Sequence, residues 1–156
     1  MRMKAGMEAF AERRVEAIVH CGDVGSVACV EQLAAVGVPA YMVAGNMDHH
    51  LDRLDSAAAG CGVDFHWEVI EVPIGDGRHL AATHGHDEAV LAALIEGGQF
   101  PYVCHGHTHR PRDERIGHVR VINPGAIRHP CRGYRPTAAV LDTNADTFEL
   151  FEVRRG

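Results

Sequence analysis

Four times along this sequence, a short apolar run ends at a glycine that stands beside a carboxylate, amide or imidazole side chain. The four pairs are Gly22-Asp23, Gly45-Asn46, His84-Gly85 and Gly106-His107, the last followed by His109. The runs are nearly continuous in apolar residues, as in strands that are buried on both faces of a sheet. Because the carboxyl ends of neighbouring parallel strands meet at one edge of a sheet, we expect these polar side chains to converge there.

Helical segments alternate with strands in the first third of the chain. Apolar residues recur at helical spacing over residues 4–16, 26–36 and 51–59, and the apolar runs at 17–21 and 40–44 lie between these segments. This alternation predicts parallel strands that are joined by helical crossovers.

Strands dominate the rest of the chain. Phe65, Trp67 and Val69 alternate with polar residues, which predicts a strand through this segment with Trp67 packed between layers. The other predicted elements are a hairpin turn at 75–77, a helix at 88–96, and strands at 79–83, 102–105, 113–116, 119–122, 137–142 and 147–153. Helices therefore cluster early and strands late, which favours an α/β fold of two packed sheets flanked by helices.

The composition limits the class of protein. The length of 156 residues fits one domain, and 46% hydrophobic with 23% charged residues is ordinary globular usage. No apolar run reaches the roughly 18 residues of a membrane helix, and a formal net charge of −6 argues against a broad nucleic-acid-binding surface. Five cysteines without a Cys-x-x-Cys pair indicate neither a disulfide framework nor a zinc ribbon. A reducing cytoplasm is the expected location.

Histidine is the residue type that stands out, with 12 in the chain. His84, His107 and His109 follow strand ends, as do Asp23 and Asn46. Together they offer imidazole nitrogens, a carboxylate and an amide oxygen, a mixture that suits manganese, iron or zinc and suits calcium poorly. A His-rich protein that stores nickel or zinc is the weaker interpretation, because these histidines follow strand ends and do not form a polar tract.

Five motifs, taken together, resemble a known family. They are Cys21-Gly22-Asp23-Val24, Gly45-Asn46-Met47-Asp48, Thr83-His84-Gly85-His86, Gly106-His107-Thr108-His109 and Asn123-Pro124-Gly125. With them the sequence resembles the calcineurin-like metallophosphoesterases, most closely the small YfcE/MJ0936-type phosphodiesterases, which share their fold with the retromer subunit VPS29. The resemblance covers essentially the whole chain. It implies a four-layer α/β/β/α sandwich with a two-metal site on the loops at the strand ends.

The resemblance also implies roles for the candidate residues. Asp23 matches the aspartate that bridges the two metals, and Asn46, His84 and His107 match ligands of one metal. His109 matches a ligand of the other metal. A divalent ion is the implied cofactor, with Mn²⁺ expected first and Zn²⁺, Fe or Ni²⁺ as alternatives. The implied reaction is hydrolysis of a small phosphate ester, foremost a phosphodiester, by metal-activated hydroxide.

The candidate catalytic residues are Asn46, Asp48 and His86. Asn46 is expected near the phosphate, and the other two are nearby candidates for acid or base catalysis. Met47 stands where the larger phosphatase branch has a histidine that protonates the leaving group. Ser26 stands where that branch has the aspartate that orients this histidine. Both partners are absent together, which disfavours phosphomonoesters with poor leaving groups and phosphoprotein substrates, while diesters with good leaving groups stay among the expected substrates.

The largest departure from the family is the first strand. The family begins with a strand that ends in Asp-x-His, whose two side chains bind metal, and this sequence has no such motif. Either the chain starts late, at an internal methionine, or one metal site has been lost. We favour a late start, because removal of a central strand would leave backbone groups unpaired. The set for the second metal is then reduced to Asp23 and His109, and the exposed sheet edge would favour a homodimer.

Two further alternatives stay open on the sequence. A non-catalytic, VPS29-like scaffold for protein binding is the rival function. The missing Asp-x-His favours it, and the five retained ligand-type residues disfavour it. His49 and His50 either face the substrate or form a solvated helix start. His20 and His105 are expected to be hydrogen-bonded groups of the core.

Overall fold

The computed structural model describes residues 2–154 of the chain, and within them it has four helices and ten strands. The helices are α1 (Arg2–Glu12), α2 (Val27–Ala34), α3 (Leu51–Cys61) and α4 (Glu88–Gly97). The strands are β1 (Ile18–His20), β2 (Ala40–Val43), β3 (Val63–His66), β4 (Val69–Pro73), β5 (His79–Thr83), β6 (Tyr102–Cys104), β7 (Pro111–Ile116), β8 (Val119–Pro124), β9 (Thr137–Asp142) and β10 (Thr147–Glu152). No helix of residues 2–154 is long and apolar enough to cross a bilayer.

The strands form two main sheets and a hairpin. A small parallel sheet has the order β1-β2-β3, and its register places Ile18 opposite Ala40 and Ala40 opposite Val63. A large mixed sheet has the order β4-β5-β6-β8-β7, in which β5, β6 and β8 are parallel. Strands β9 and β10 pair with each other as an antiparallel hairpin. The predicted parallel strands with helical crossovers are therefore present in the first third of the chain.

Three apolar cores separate four layers. The first core joins α1, α2 and α3 to the small sheet and contains Met3, Val30, Leu33, Met42, Leu54 and Val63. The second lies between the two sheets and contains Val43, Val72, Leu80, Tyr102 and Ile122. The third joins the large sheet to α4 and contains Val103, Val119 and Val121, with Leu91 and Leu94 packed against them. The neighbours Met42 and Val43 belong to different cores, because successive side chains of a strand point to opposite faces. The α/β/β/α sandwich is thereby confirmed.

The chain passes from the small sheet to the large sheet at Trp67. Strand β3 ends at His66 and β4 begins at Val69, with a bend at Trp67 and Glu68. The prediction of one strand through this segment is wrong, as is the prediction that Trp67 packs between layers, since its side chain is 60% exposed. Two consecutive strands that both alternate with period two give one continuous pattern, so the sequence does not reveal a bend between them.

Helix α1 also connects the small sheet to the hairpin. The rings of Phe10 and Phe151 meet edge to face at 5.7 Å, and the Arg13 guanidinium lies 3.9 Å from the centre of the Phe151 ring. Arg13 also donates to Glu149 at 3.2 Å. Within residues 2–154, β1 is an edge strand that pairs with β2 alone. The expectation of a strand before residue 1 concerns residues outside this sequence and stays a prediction.

Candidate functional site

The carboxyl ends of β1, β2, β5 and β6 bring four of the candidate side chains together. His84 Nε2 lies 2.9 Å from Asn46 Oδ1 and 3.4 Å from Asp23 Oδ2. His107 Nδ1 lies 3.1 Å from the same Asn46 oxygen. Asp23, Asn46, His84 and His107 are called the strand-end cluster below. Their meeting point is the sheet edge at which such side chains converge in α/β folds.

Two glycines make this close approach possible. A Cβ atom at Gly22 would lie 2.5 Å from His84 Nδ1, and a Cβ at Gly45 would overlap the carboxylate of Asp23. Gly22 also has a φ of +90°, a conformation that other residues rarely adopt. The glycines that precede Asp23 and Asn46 are thus required by the packing of the loops.

His84 is the most deeply buried member of the cluster, with 2% exposure. Its Nδ1 lies 2.6 Å from the carbonyl oxygen of Cys21, so Nδ1 carries the proton and donates it to that oxygen. Burial lowers the pKa of His84, against the opposing effects of the Cys21 carbonyl and of Asp23, and so favours the neutral ring. A neutral imidazole donates through one nitrogen only, so Nε2 presents a lone pair to the oxygens of Asn46 and Asp23.

Three members of the motifs have strained backbones. Asp23, His107 and His109 have φ values of 56°, 61° and 55°, in the left-handed region. Non-glycine residues in this region often occur at functional sites, where the surrounding structure holds them in place. The turn over residues 106–109 therefore has a conformation that the rest of the fold must stabilise.

Asn123 stabilises that turn. It is fully buried, and its Nδ2 donates to the Gly106 carbonyl at 2.8 Å and lies 3.1 Å from Thr108 Oγ1. Its Oδ1 accepts from the Gly125 amide at 2.9 Å. The sequence motif that contains Asn123 did not by itself predict a role for this side chain. The signal for one was an amide side chain directly after the apolar residues Val121 and Ile122 of a buried strand.

Asp48 holds the loops around Asp23 and Asn46. Its carboxylate is 7% exposed and accepts backbone N–H bonds from Val24 at 3.2 Å, Gly25 at 2.8 Å and Gly45 at 2.9 Å. A carboxylate that is occupied by three backbone donors is poorly placed to exchange protons with a substrate. The structure therefore does not support the acid or base role expected for Asp48 and gives it a positioning role.

The remaining candidate histidines lie around the cluster. The exposed ring of His86 lies 5.4 Å from the His84 ring and 6.3 Å from the His107 ring, between centroids. His109 makes no side-chain hydrogen bond to the strand-end cluster among residues 2–154, and the roles expected for His86 and His109 stay predictions. His105 Nδ1 lies 3.2 Å from the Gly106 carbonyl, as expected of a hydrogen-bonded group. The buried Nδ1 of His20 has no partner within the described chain, contrary to expectation.

The donor set fits a divalent transition metal in its chemistry. Within residues 2–154, no three His, Cys, Asp or Glu side chains are arranged as a metal site. The side chain that joins the two imidazoles is instead an amide, Asn46. One carboxylate oxygen, one amide oxygen and two imidazole nitrogens are the ligands that manganese, iron or zinc accept. The lone pair of His84 that faces two oxygens is an arrangement that a cation would satisfy.

Comparison with known proteins adds independent information. Residues 2–146 match the calcineurin-like phosphoesterase superfamily domain. Phosphodiesterase MJ0936 of Methanocaldococcus jannaschii is 31% identical over 148 residues, which cover 90% of this chain and 84% of that protein. A solved structure described as a novel archaeal phosphodiesterase superposes with a TM-score of 0.83 at 29% identity, covering 96% of this chain and 90% of the other.

Two more distant solved structures share the fold. The phosphoesterase Yfce of E. coli superposes with a TM-score of 0.67 at 21% identity, covering 98% of this chain and 92% of its own. Vps29 of Entamoeba histolytica superposes with a TM-score of 0.61 at 20% identity, covering 94% of this chain and 76% of its own. At these identities the likeness concerns the architecture alone.

Proposed function

The chain belongs to the calcineurin-like phosphoesterase superfamily, and from this membership we propose that it is a phosphodiesterase that depends on a divalent metal ion. The observation that carries the proposal is the strand-end cluster itself. The unprotonated Nε2 of His84 faces the oxygens of Asn46 and Asp23 at 2.9 and 3.4 Å. Acceptor atoms that face one another without a hydrogen between them destabilise the folded state, and such an arrangement is expected where a cation binds.

The chain's own residues have separate parts in this proposal. Asp23, Asn46, His84 and His107 would hold the ion, and calcineurin-like phosphoesterases generally depend on divalent metals. The chemistry that a divalent ion supplies, when bound, is the acidification of water and the neutralisation of charge on phosphate oxygens. The Cys21 carbonyl fixes the tautomer and the ring orientation of His84, as partners of metal ligands commonly do.

The preference for diesters follows from what stands beside Asn46. Met47 is 60% exposed, and its backbone N–H donates to Asp23 Oδ1 at 2.9 Å. A thioether cannot donate a proton, so no acid at this position assists a leaving group of high pKa. Small diesters whose leaving group departs as a stable anion are therefore the expected substrates.

The identity of the metal is part of the proposal. Mn²⁺ is expected first because the donors mix oxygen and nitrogen, and Zn²⁺, Fe and Ni²⁺ are the alternatives. For residues 1–156 we expect one tight metal site, made by the strand-end cluster. The second set contains only Asp23 and His109. Isothermal titration calorimetry with Mn²⁺ measures this stoichiometry, and two tight sites per chain would contradict the expectation.

The decisive experiment is hydrolysis of bis-p-nitrophenyl phosphate, followed by the release of p-nitrophenolate. We expect turnover that requires added Mn²⁺ and is lost with a chelator. Phosphoserine, a monoester with a poor leaving group, should be hydrolysed more slowly, as measured by the release of phosphate. Absence of turnover by a chain to which calorimetry shows the metal bound would overturn the proposal.

A non-catalytic scaffold of the Vps29 type is not favoured. Vps29 resembles this chain in architecture alone, whereas the relative named as a phosphodiesterase is similar in sequence over most of both chains. A scaffold would also have no need for buried and strained ligand-type residues at the strand ends.

The cellular setting completes the proposal. All five cysteines are free, which fits a reducing cytoplasm. For residues 1–156 a homodimer through the edge of β1 is the proposed assembly, since the strand edge that is unpaired in this stretch of chain can pair with another copy. Size-exclusion chromatography with light scattering would test it.

A further inference from the structure

A cavity beside the strand-end cluster contains a side chain that the proposed hydrolysis does not use. Its volume is about 320 Å³, and it is lined by His49, His50, Leu51, Asp52, Arg53 and Trp67. Trp67 is the only tryptophan of the chain and is 60% exposed. It belongs to none of the three apolar cores. We call this space the Trp67 cavity.

The backbone places the Trp67 cavity next to the strand-end cluster. Strand β3 pairs with β2 in a register that sets His66 opposite Val43, and the Ala44 N–H donates to the His66 carbonyl at 2.9 Å. Trp67 thus lies beside Ala44, and Ala44 precedes Asn46 by two residues in the sequence. With strands about 4.8 Å apart and about 3.4 Å per residue, the Cα atoms of Trp67 and Asn46 lie within roughly 12 Å.

The opposite wall of the cavity is equally close to the cluster. His49 follows Asn46 by three residues, and α3 begins at Leu51. Asp48, which lies between Asn46 and His49 in the sequence, is fixed by its three backbone hydrogen bonds. Both walls are therefore attached to the loop that carries Asn46, and a ligand could reach the cavity and the cluster at once.

The chemistry of the lining favours a flat, uncharged ring over a second anionic group. The carboxylate of Asp52 and the guanidinium of Arg53 balance each other in formal charge, so the cavity does not concentrate positive charge. The indole of Trp67 offers a large π face, on which aromatic rings and nucleobases stack irrespective of their hydrogen-bonding edges. A volume near the lower limit of known ligand pockets suits one ring system.

We propose that the Trp67 cavity binds a flat aromatic ring of nucleobase size, carried by one ester group of the phosphodiester substrate. This inference rests on the proposed function, because that function supplies the phosphate end of the substrate. The ring stacks on the indole of Trp67 while the phosphate lies at the strand-end cluster. His49 and His50 then lie at the edge of the bound ring, which answers the question that the sequence left open about them.

The first test uses the fluorescence of Trp67, which is the sole indole and so reports on this position alone. Adenosine 5′-monophosphate and ribose 5-phosphate are titrated into the chain with and without Zn²⁺, one of the expected metals. They share the phosphate and the sugar and differ in the base. We expect saturable quenching by adenosine 5′-monophosphate and none by ribose 5-phosphate. Equal effects of the two, or no effect of either, would overturn the inference.

The second test compares two diesters with the same leaving group, thymidine 5′-(p-nitrophenyl phosphate) and methyl p-nitrophenyl phosphate. The wild type is expected to prefer the thymidine ester by roughly tenfold or more in kcat/KM, which is the scale of one stacked base. Trp67→Ala should lower this ratio about tenfold, and Trp67→Phe should lower it less because a smaller ring still stacks. Ile116→Ala, at an exposed apolar position of β7, should leave the ratio unchanged.

The outcomes separate this inference from the proposed function. If no diester is hydrolysed but adenosine 5′-monophosphate alone quenches Trp67, the phosphodiesterase proposal fails and the ring site stands. If diesters are hydrolysed and Trp67→Ala leaves the ratio unchanged, the ring site fails alone. Self-association that is lost in Trp67→Ala, without quenching by the nucleotide, would assign the indole to a contact between copies and would also overturn the inference.

Discussion

Polar side chains are paired with opposite charges at one end of the large sheet and are not paired in this way at the other end. At the amino-terminal ends of β6 and β8, Arg120 makes a two-pronged ion pair with Asp113 at 2.7 and 2.8 Å and reaches Asp146 at 2.9 Å. Asp146 also accepts from the Tyr102 hydroxyl at 3.0 Å and from Arg115. Every charge in this network has an opposite partner. At the carboxyl ends, His84 of the large sheet meets Asn46 and Asp23, which follow strands of the small sheet, with acceptor atoms facing one another.

The contrast separates stabilising polar groups from functional ones. In the Arg120 network the hydrogen bonds to Arg120 lower the pKa of Asp113 and of Asp146, so both charged forms are stabilised in the folded chain. Together these contacts tie the turn of the β9–β10 hairpin to the large sheet. The strand-end cluster has no comparable set of paired charges among the described residues, and under the proposed function a metal ion would complete it. Substitutions at one end should therefore change stability, and substitutions at the other should change activity.

The largest effect is expected from His84→Gln. Loss of an imidazole from the strand-end cluster should reduce kcat/KM for bis-p-nitrophenyl phosphate by roughly a thousandfold, equivalent to about 4 kcal/mol of transition-state stabilisation. The matched control is His118→Gln, since His118 lies at the other end of the sheet and contacts the Gly98 carbonyl at 2.8 Å. Equal activity of the two variants would remove the distinction between the two ends.

Asp48→Ala should affect stability and activity together. Three backbone N–H groups lose their acceptor, and such unsatisfied donors destabilise a fold by about 1–3 kcal/mol or more. We expect the free energy of unfolding in urea to fall by about 3 kcal/mol. Asp48→Asn keeps an acceptor oxygen and should lose about half as much. A stable Asp48→Ala variant with reduced kcat would identify a direct chemical role in place of positioning.

Arg120→Met tests the other end of the sheet. The Arg120 side chain is 12% exposed, and its partners Asp113 and Asp146 are 37% and 42% exposed, so solvent weakens the ion pairs. A loss of about 1–2 kcal/mol in the free energy of unfolding is expected, with kcat/KM unchanged. A drop in activity without a drop in stability would show that the hairpin takes part in catalysis.

The smallest effect concerns the pH dependence of the Arg120 network. The pKa of Asp113 is lower in the folded chain than its ordinary value of about 3.9. Its contribution is therefore fully present above that value and is lost as the pH falls through the folded pKa. Asp113→Asn should lower the free energy of unfolding at pH 7 by less than about 1 kcal/mol, which appears as a slightly lower Tm. The difference in Tm between the variant and the wild type should shrink below pH 4. Asp64→Asn, at an exposed position of β3, is the control.

Features that depend on residues close together in the sequence could be predicted from it, whereas features that depend on the pairing or packing of distant segments could not. The strands at 79–83 and 137–142 and the convergence of Asp23, Asn46, His84 and His107 followed from periodicity and from glycine-marked strand ends. The bend at Trp67 could not be predicted in this way, because the alternation of Phe65, Trp67 and Val69 continues through the bend. Only the fact that β3 and β4 belong to different sheets requires a bend between them.

The part played by Asp48 was equally hidden from the sequence. Its position two residues after Asn46 indicated nearness to the site. That its carboxylate accepts from Val24, Gly25 and Gly45 depends on how two loops pack against each other. Asn123 lies between these two cases. An amide side chain in an apolar strand indicates a buried hydrogen bond, but the sequence does not show which groups are its partners.

The buried carboxylate of Asp48 has a consequence for the motions of these loops. The amide protons of Val24, Gly25 and Gly45 lie outside the helices and strands, where exchange with solvent water is normally fast. Here each is held by an acceptor that water hardly reaches. These three amides should exchange their hydrogens with deuterated water at rates typical of strand interiors. They would mark loops that keep their shape before any ligand arrives.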